Sequence, residues 1–92
     1  MNSRKEGRDI QAAIRQVLLD EWDPLGAKAI APSEYDAYIG RVYRLLVDGA
    51  SPRALAEFLS DVERDEMGLS AADPSALLRP AEALYRLKSH LR

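Results

Sequence analysis

Apolar residues recur along this chain at spacings of three and four in four separate runs, and no segment alternates with period two. Ile10, Ala13, Ile14, Val17 and Leu18 make the first stripe. It predicts a helix from an N-cap at Asp9 to about Glu21, ended by Asp23-Pro24 because a residue before proline is pushed out of the α region. Tyr35, Tyr38, Ile39, Val42, Leu45 and Leu46 make a second stripe about 120° wide. Ser33 and Asp36 have capping-box spacing before it, and Gly49 stops it as a left-handed cap. Ser51-Pro52 starts a third helix carrying Leu55, Phe58, Leu59 and Val62, which Gly68 closes. Asp73-Pro74 repeats that start for a last segment with Leu77, Leu78, Ala81, Leu84, Leu87 and Leu91. Pro80 interrupts this segment, so either one helix kinks near Ala76 or a short turn precedes a helix starting near Pro80. The kinked helix is the preferred reading. The expected fold is all-α: one domain over residues 9–92, a bundle of about four helices, behind a flexible polar tail over residues 1–8.

The junction between the first two stripes is the most informative run. Glu21-Trp22-Asp23-Pro24-Leu25-Gly26 holds the only Trp, and Pro32-Ser33-Glu34-Tyr35-Asp36-Ala37-Tyr38 holds two of the four Tyr. Trp22 is expected to plug the seam between helix and loop, with Asp23 satisfying backbone amides in the turn. The competing reading makes Trp22 and Asp23 a partner-binding element, since Trp anchors interfaces by burying a large area around a polar handle. Tyr35 and Tyr38 point toward the core stripe and Tyr43 toward its edge. Their neighbours Glu34 and Asp36 are the wrong sign for a base-stacking platform.

Composition narrows the classes further. At 92 residues the chain is one domain, and with no Cys it has no disulfide, thiolate ligand or thiol nucleophile. No apolar run approaches the roughly 18 residues that span a bilayer. Residues 1–8 also lack the apolar core of a signal peptide, so a cytoplasmic location is expected. The net charge of −2 argues against nucleic acid as a partner. Charge is nonetheless divided along the chain. Glu57, Asp61, Glu63, Asp65, Glu66 and Asp73 surround the single Arg64, whereas Arg79, Arg86, Lys88 and Arg92 dominate the C-terminal segment. The acidic run reads as a solvated helix face or, more sharply, as a surface that steers a charged partner through Asp61 and Asp65.

Candidate chemistry is thin. Glu21 and Glu66 fall on apolar stripes and, if buried together, could form an acid–base or metal-binding pair, but each sits in the last turn of its helix. His90 is the only imidazole and cannot complete a zinc site alone. The five Gly are scattered, so there is no phosphate loop. A helix-turn-helix reading would make the acid-rich third helix the recognition helix, which phosphates would repel. No catalytic residue, metal site or cofactor is assigned, and no enzymatic activity is expected.

The motif Glu21-Trp22-Asp23-Pro24-Leu25-Gly26, with Glu34-Tyr35-Asp36-x-Tyr38 and Val42-Tyr43-Arg44-Leu45-Leu46, resembles the YugE-like family of small bacterial helical proteins of unknown function. The resemblance extends through Ala54–Leu59 to Met67-Gly68-Leu69. It implies four helices packed at steep angles and transfers no functional residue. The function expected from these readings is non-enzymatic, acting by binding another protein. One variant is an immunity- or antitoxin-like protein that masks a basic partner with its acidic face. Another is a homo-oligomeric structural domain that uses the Trp22–Leu25 corner and exposed parts of the Tyr stripe, with slight support from Leu19 on the face opposite the first stripe.

Overall fold

The first apolar stripe builds a helix longer than its own pattern. A computed structural model of the chain describes residues 3–70 and 73–91, with α1 running Ser3–Val17. Asp9 therefore lies inside α1 and caps nothing. The expected tail over residues 1–8 is helical from Ser3 onward, residues 1 and 2 lying outside the described residues. Arg, Lys and Glu are good helix formers, so an unpatterned polar stretch can carry a helix.

α1 does not simply stop before Pro24. It widens into a π-helical turn, Leu18–Trp22, closed by the Asp23 N–H on the Leu18 carbonyl at 2.8 Å. A π turn stretches the repeat from four residues to five. Leu19, five after Ile14, and Trp22, five after Val17, thus swing toward the core. Leu19 is only 6% exposed. It is not on an outer face and offers no contact for self-association.

A short 3-10 turn, Ala27–Ala29, leads to α2 at Asp36–Val47. The expected capping box is absent: Tyr35 holds the N-cap position and no side chain caps the helix. Asp36 is instead held by Arg15 of α1, through Nε to Oδ1 at 2.8 Å and Nη2 to Oδ2 at 2.9 Å. The other end matches expectation. The Gly49 N–H bonds to the Leu46 carbonyl and the Ala50 N–H to the Leu45 carbonyl, with Gly49 at φ 87°. That pair of bonds is a Schellman cap, which needs the left-handed conformation that glycine adopts freely.

Ser51 caps α3 (Pro52–Asp65) by accepting the Ala54 N–H on Oγ. Asp73 caps a 3-10 turn, Pro74–Leu77, which passes directly into α4 at Leu78–Arg86 and a final 3-10 turn, Leu87–His90. The preferred mid-helix kink is replaced by a change of helix type at Leu77. Pro80 becomes the third residue of α4, inside the first turn, where its missing N–H costs no intrahelical bond.

The fold is all-α, a small four-helix bundle with no strand among the described residues. α1 packs on α2, α3 on α4 and on the 3-10 turn before it, and the π turn reaches α4. Ile14, Leu18, Tyr35, Val42, Leu46, Leu55, Leu59 and Leu84 meet at its centre with no exposed surface. Burying each of these side chains contributes about 1.5–3 kcal/mol.

Candidate functional site

Two aromatic side chains and two carboxylates converge where the π turn meets the loop. Asp23 adopts φ 35°, ψ 57°, and among the described residues it is the one non-glycine with positive φ. Asp tolerates this region because its short side chain can bond locally. Here it does: Oδ1 accepts the Ala27 N–H at 2.6 Å and the Tyr35 hydroxyl at 2.7 Å, while Oδ2 accepts the Lys28 N–H at 3.3 Å. The Tyr35 oxygen in turn accepts the Leu25 N–H at 2.9 Å. One buried phenol thereby closes a loop against its own start.

Both titrating groups register this closure. Burial alone would raise the Asp23 carboxyl, but hydrogen bonds from Tyr35, Ala27 and Lys28 together outweigh it, and its pKa falls below the usual value. Burial, then the hydrogen bond to Asp23, pushes the Tyr35 phenol up to about 12.

Trp22 packs beside this network. Its ring centre lies 5.2 Å from that of Tyr35 and 6.4 Å from that of Tyr38, the latter edge-on. Its Nε1–H donates to Glu63 Oε2 at 2.8 Å. Glu63 is only 6% exposed. The acidic run of α3 is therefore not a uniformly solvated face, because one of its carboxylates turns inward to the lone indole. The signal for this was present: Ala56, Ser60 and Glu63 lie at i, i+4 and i+7 beside Leu55, Leu59 and Val62, and all six are buried.

The remaining candidates separate. Glu21 is exposed and pairs with Arg79 at 3.4 Å, whereas Glu66 pairs with Arg41 at 2.7 Å. They form no buried pair. Asp61 and Asp65 are exposed and both bond to Arg64, at 2.8 and 2.9 Å. Tyr38 is half-buried and Tyr43 exposed, as the stripe predicts. The side chain of His90 lies outside the described residues. No three metal-ligating side chains cluster among the described residues, and no helix there is long and apolar enough to cross a membrane.

The corner up to Leu25 is the contact surface of the self-associating reading, and Ile30 extends it beyond what the sequence marks. Ile30 is 85% exposed and Leu25 is 42% exposed. Both project from the loop that Asp23 and Tyr35 tie down, around a shallow cleft bounded by Ala31 and Glu34. Chemically the arrangement offers a fixed apolar contact, with the Tyr35 hydroxyl and the Asp23 carboxylate engaged in holding the loop behind it. No family model, curated protein or solved structure matches the chain.

Proposed function

We propose that this chain is a non-enzymatic, cytoplasmic protein-interaction domain that docks a partner protein on the Leu25–Ile30 loop. The observation that carries this reading is the 85% exposure of Ile30 on a loop whose backbone is pinned from inside. An isolated exposed apolar residue is ordinary. Two of them on a loop tied by a wholly buried Tyr form a preorganised contact, which lowers the ordering cost of association. In this reading the Trp-Asp-Pro-Leu-Gly motif, which resembles that of YugE-like proteins, builds the support, and Trp22 and Asp23 act by holding the loop. The acidic-face variant has less in its favour, because Asp61 and Asp65 share Arg64.

Affinity capture with three baits tests the reading. A partner retained by the wild-type chain and by an Asp61→Arg/Asp65→Arg double variant, but lost with Ile30→Asp, supports it. A partner lost with the double variant and kept by Ile30→Asp moves the contact to the acidic face of α3.

A further inference from the structure

The surface shared by α2 and α3 runs from basic to acidic across an apolar seam. On the α2 side stand Arg41 and Arg44. Arg41 bonds to Glu66 and lies 5.0 Å over the Phe58 ring. The Arg44 guanidinium is exposed and forms no ion pair or hydrogen bond among the described residues. Half-buried Leu45 and Phe58 floor an open groove of about 400 Å³, and Gly40 leaves one wall without a side chain. On the α3 side, Glu57, Asp61 and Asp65 form an exposed row at i, i+4 and i+8, with Arg53 and Arg64 as their ion-pair partners. Three acids against two bases leave the exposed side of α3 negative, and Asp61 follows Phe58 by one turn, whereas the charged side chains that line the groove itself are Arg41 and Arg44.

We propose that this face is covered by a second copy of the same chain, in a two-fold dimer whose axis runs along the groove. Rotation about that axis lays α2 of each copy over α3 of the other. Leu45 then meets Phe58 of the partner subunit, and Arg44 meets Asp61 of the partner subunit, twice per dimer. Setting α2 over α2 would oppose like charges, so the charge pattern selects the first arrangement. A site for an acidic peptide would need only the basic rim. The face carries both halves of a complementary pair, which favours a second copy. The proposal is independent of the Leu25–Ile30 contact, and Ile30→Asp leaves the dimer intact.

Sedimentation equilibrium on the full chain from micromolar to near-millimolar concentration tests it. The wild type is expected to approach twice the 10.2 kDa chain mass. Arg44→Glu alone and Asp61→Arg alone each weaken dimerisation about tenfold or more, because each places like charges in both contacts. An equimolar mixture of the two restores the dimer, since both cross-contacts in the mixed pair are then of opposite sign. If Arg44→Glu lowers the melting temperature, Arg44→Gln replaces it in the single-variant comparison only, and the mixing test uses Arg44→Asp in its place. A wild type monomeric throughout overturns the proposal. So does a dimer indifferent to both reversals, or a pair of monomeric variants that stay monomeric when mixed. A monomer that binds a poly-glutamate peptide through Arg44 also overturns it and assigns the groove to an acidic partner.

Discussion

Replacing Tyr35 by Phe removes one oxygen atom from the centre of the corner and leaves the buried ring in place. The lost hydroxyl donates to a carboxylate and accepts an amide N–H, at 2.7 and 2.9 Å. A hydrogen bond to a charged group contributes about 1.5–3 kcal/mol net and a neutral one about 0.5–1.5 kcal/mol. The second is the smaller contribution, a neutral bond to a part-buried loop amide. Asp23 keeps the Ala27 and Lys28 amides, which softens the first. The expected cost is therefore about 2 kcal/mol. For a domain of this size that lowers the melting temperature by about 8–16 °C. Circular dichroism during heating, with urea unfolding alongside, measures it; the midpoint should fall with the urea slope unchanged. A double-mutant cycle against Asp23→Ala should return a coupling of about 1–2 kcal/mol. A melting shift within error, or a coupling near zero, would refute the assignment of the corner to this bond.

Other consequences can be checked in the same way. Asp23→Asn keeps an acceptor in a residue that tolerates the left-handed region and should cost about 1 kcal/mol. Asp23→Ala should cost about 3 kcal/mol, since it loses every side-chain bond and strains a Cβ at φ 35°; equal melting temperatures would contradict this. With the Tyr35 pKa raised to about 12, stability is present below the unfolded value of about 10 and is lost as pH climbs between the two. The melting-temperature gap between wild type and Tyr35→Phe should therefore narrow over that window; a gap constant with pH would contradict the phenol's burial. At the acid end the lowered Asp23 carboxyl contributes stability above about pH 4, lost as pH falls further. Gly49→Ala should destabilise by about 1–2 kcal/mol in urea unfolding because φ is 87°; a neutral result would rule out the Schellman cap. The Arg15–Asp36 pair is bidentate but more than a third exposed on both sides. A double-mutant cycle should give no more than about 1 kcal/mol, shrinking with salt.

Local rules made much of this fold legible. The four stripes, the Gly49 cap and the Ser51-Pro52 start all depend on spacings within a few residues, where backbone geometry decides. Failures came where distant partners or altered helix geometry decided. Ser33 and Asp36 have capping spacing, but Arg15, 21 residues away, takes the Asp36 carboxylate. Leu19 read as outward on a regular α-helix, and the π turn carried it inward. Asp23 was expected to serve turn amides and does so for Ala27 and Lys28, yet its bond to Tyr35 spans 12 residues and has no periodic signature. Glu63 was hidden by charge: five acids in ten residues read as a wet face, although its register matched the small residues Ala56 and Ser60. Ile30 carries no signal in the sequence, because an apolar residue in a loop has no pattern to violate.

The account rests on the corner holding the Leu25–Ile30 loop in one conformation. Amide hydrogen exchange at Leu25 and Ala27, followed by NMR in the wild type and in Tyr35→Phe, tests that most directly. Both amides should exchange slowly in the wild type, with Leu25 losing its protection in the variant while Ala27 retains part of its own through Asp23. Rapid exchange at both positions in the wild type would contradict the account, because the loop would then be untethered and Ile30 would present no fixed surface.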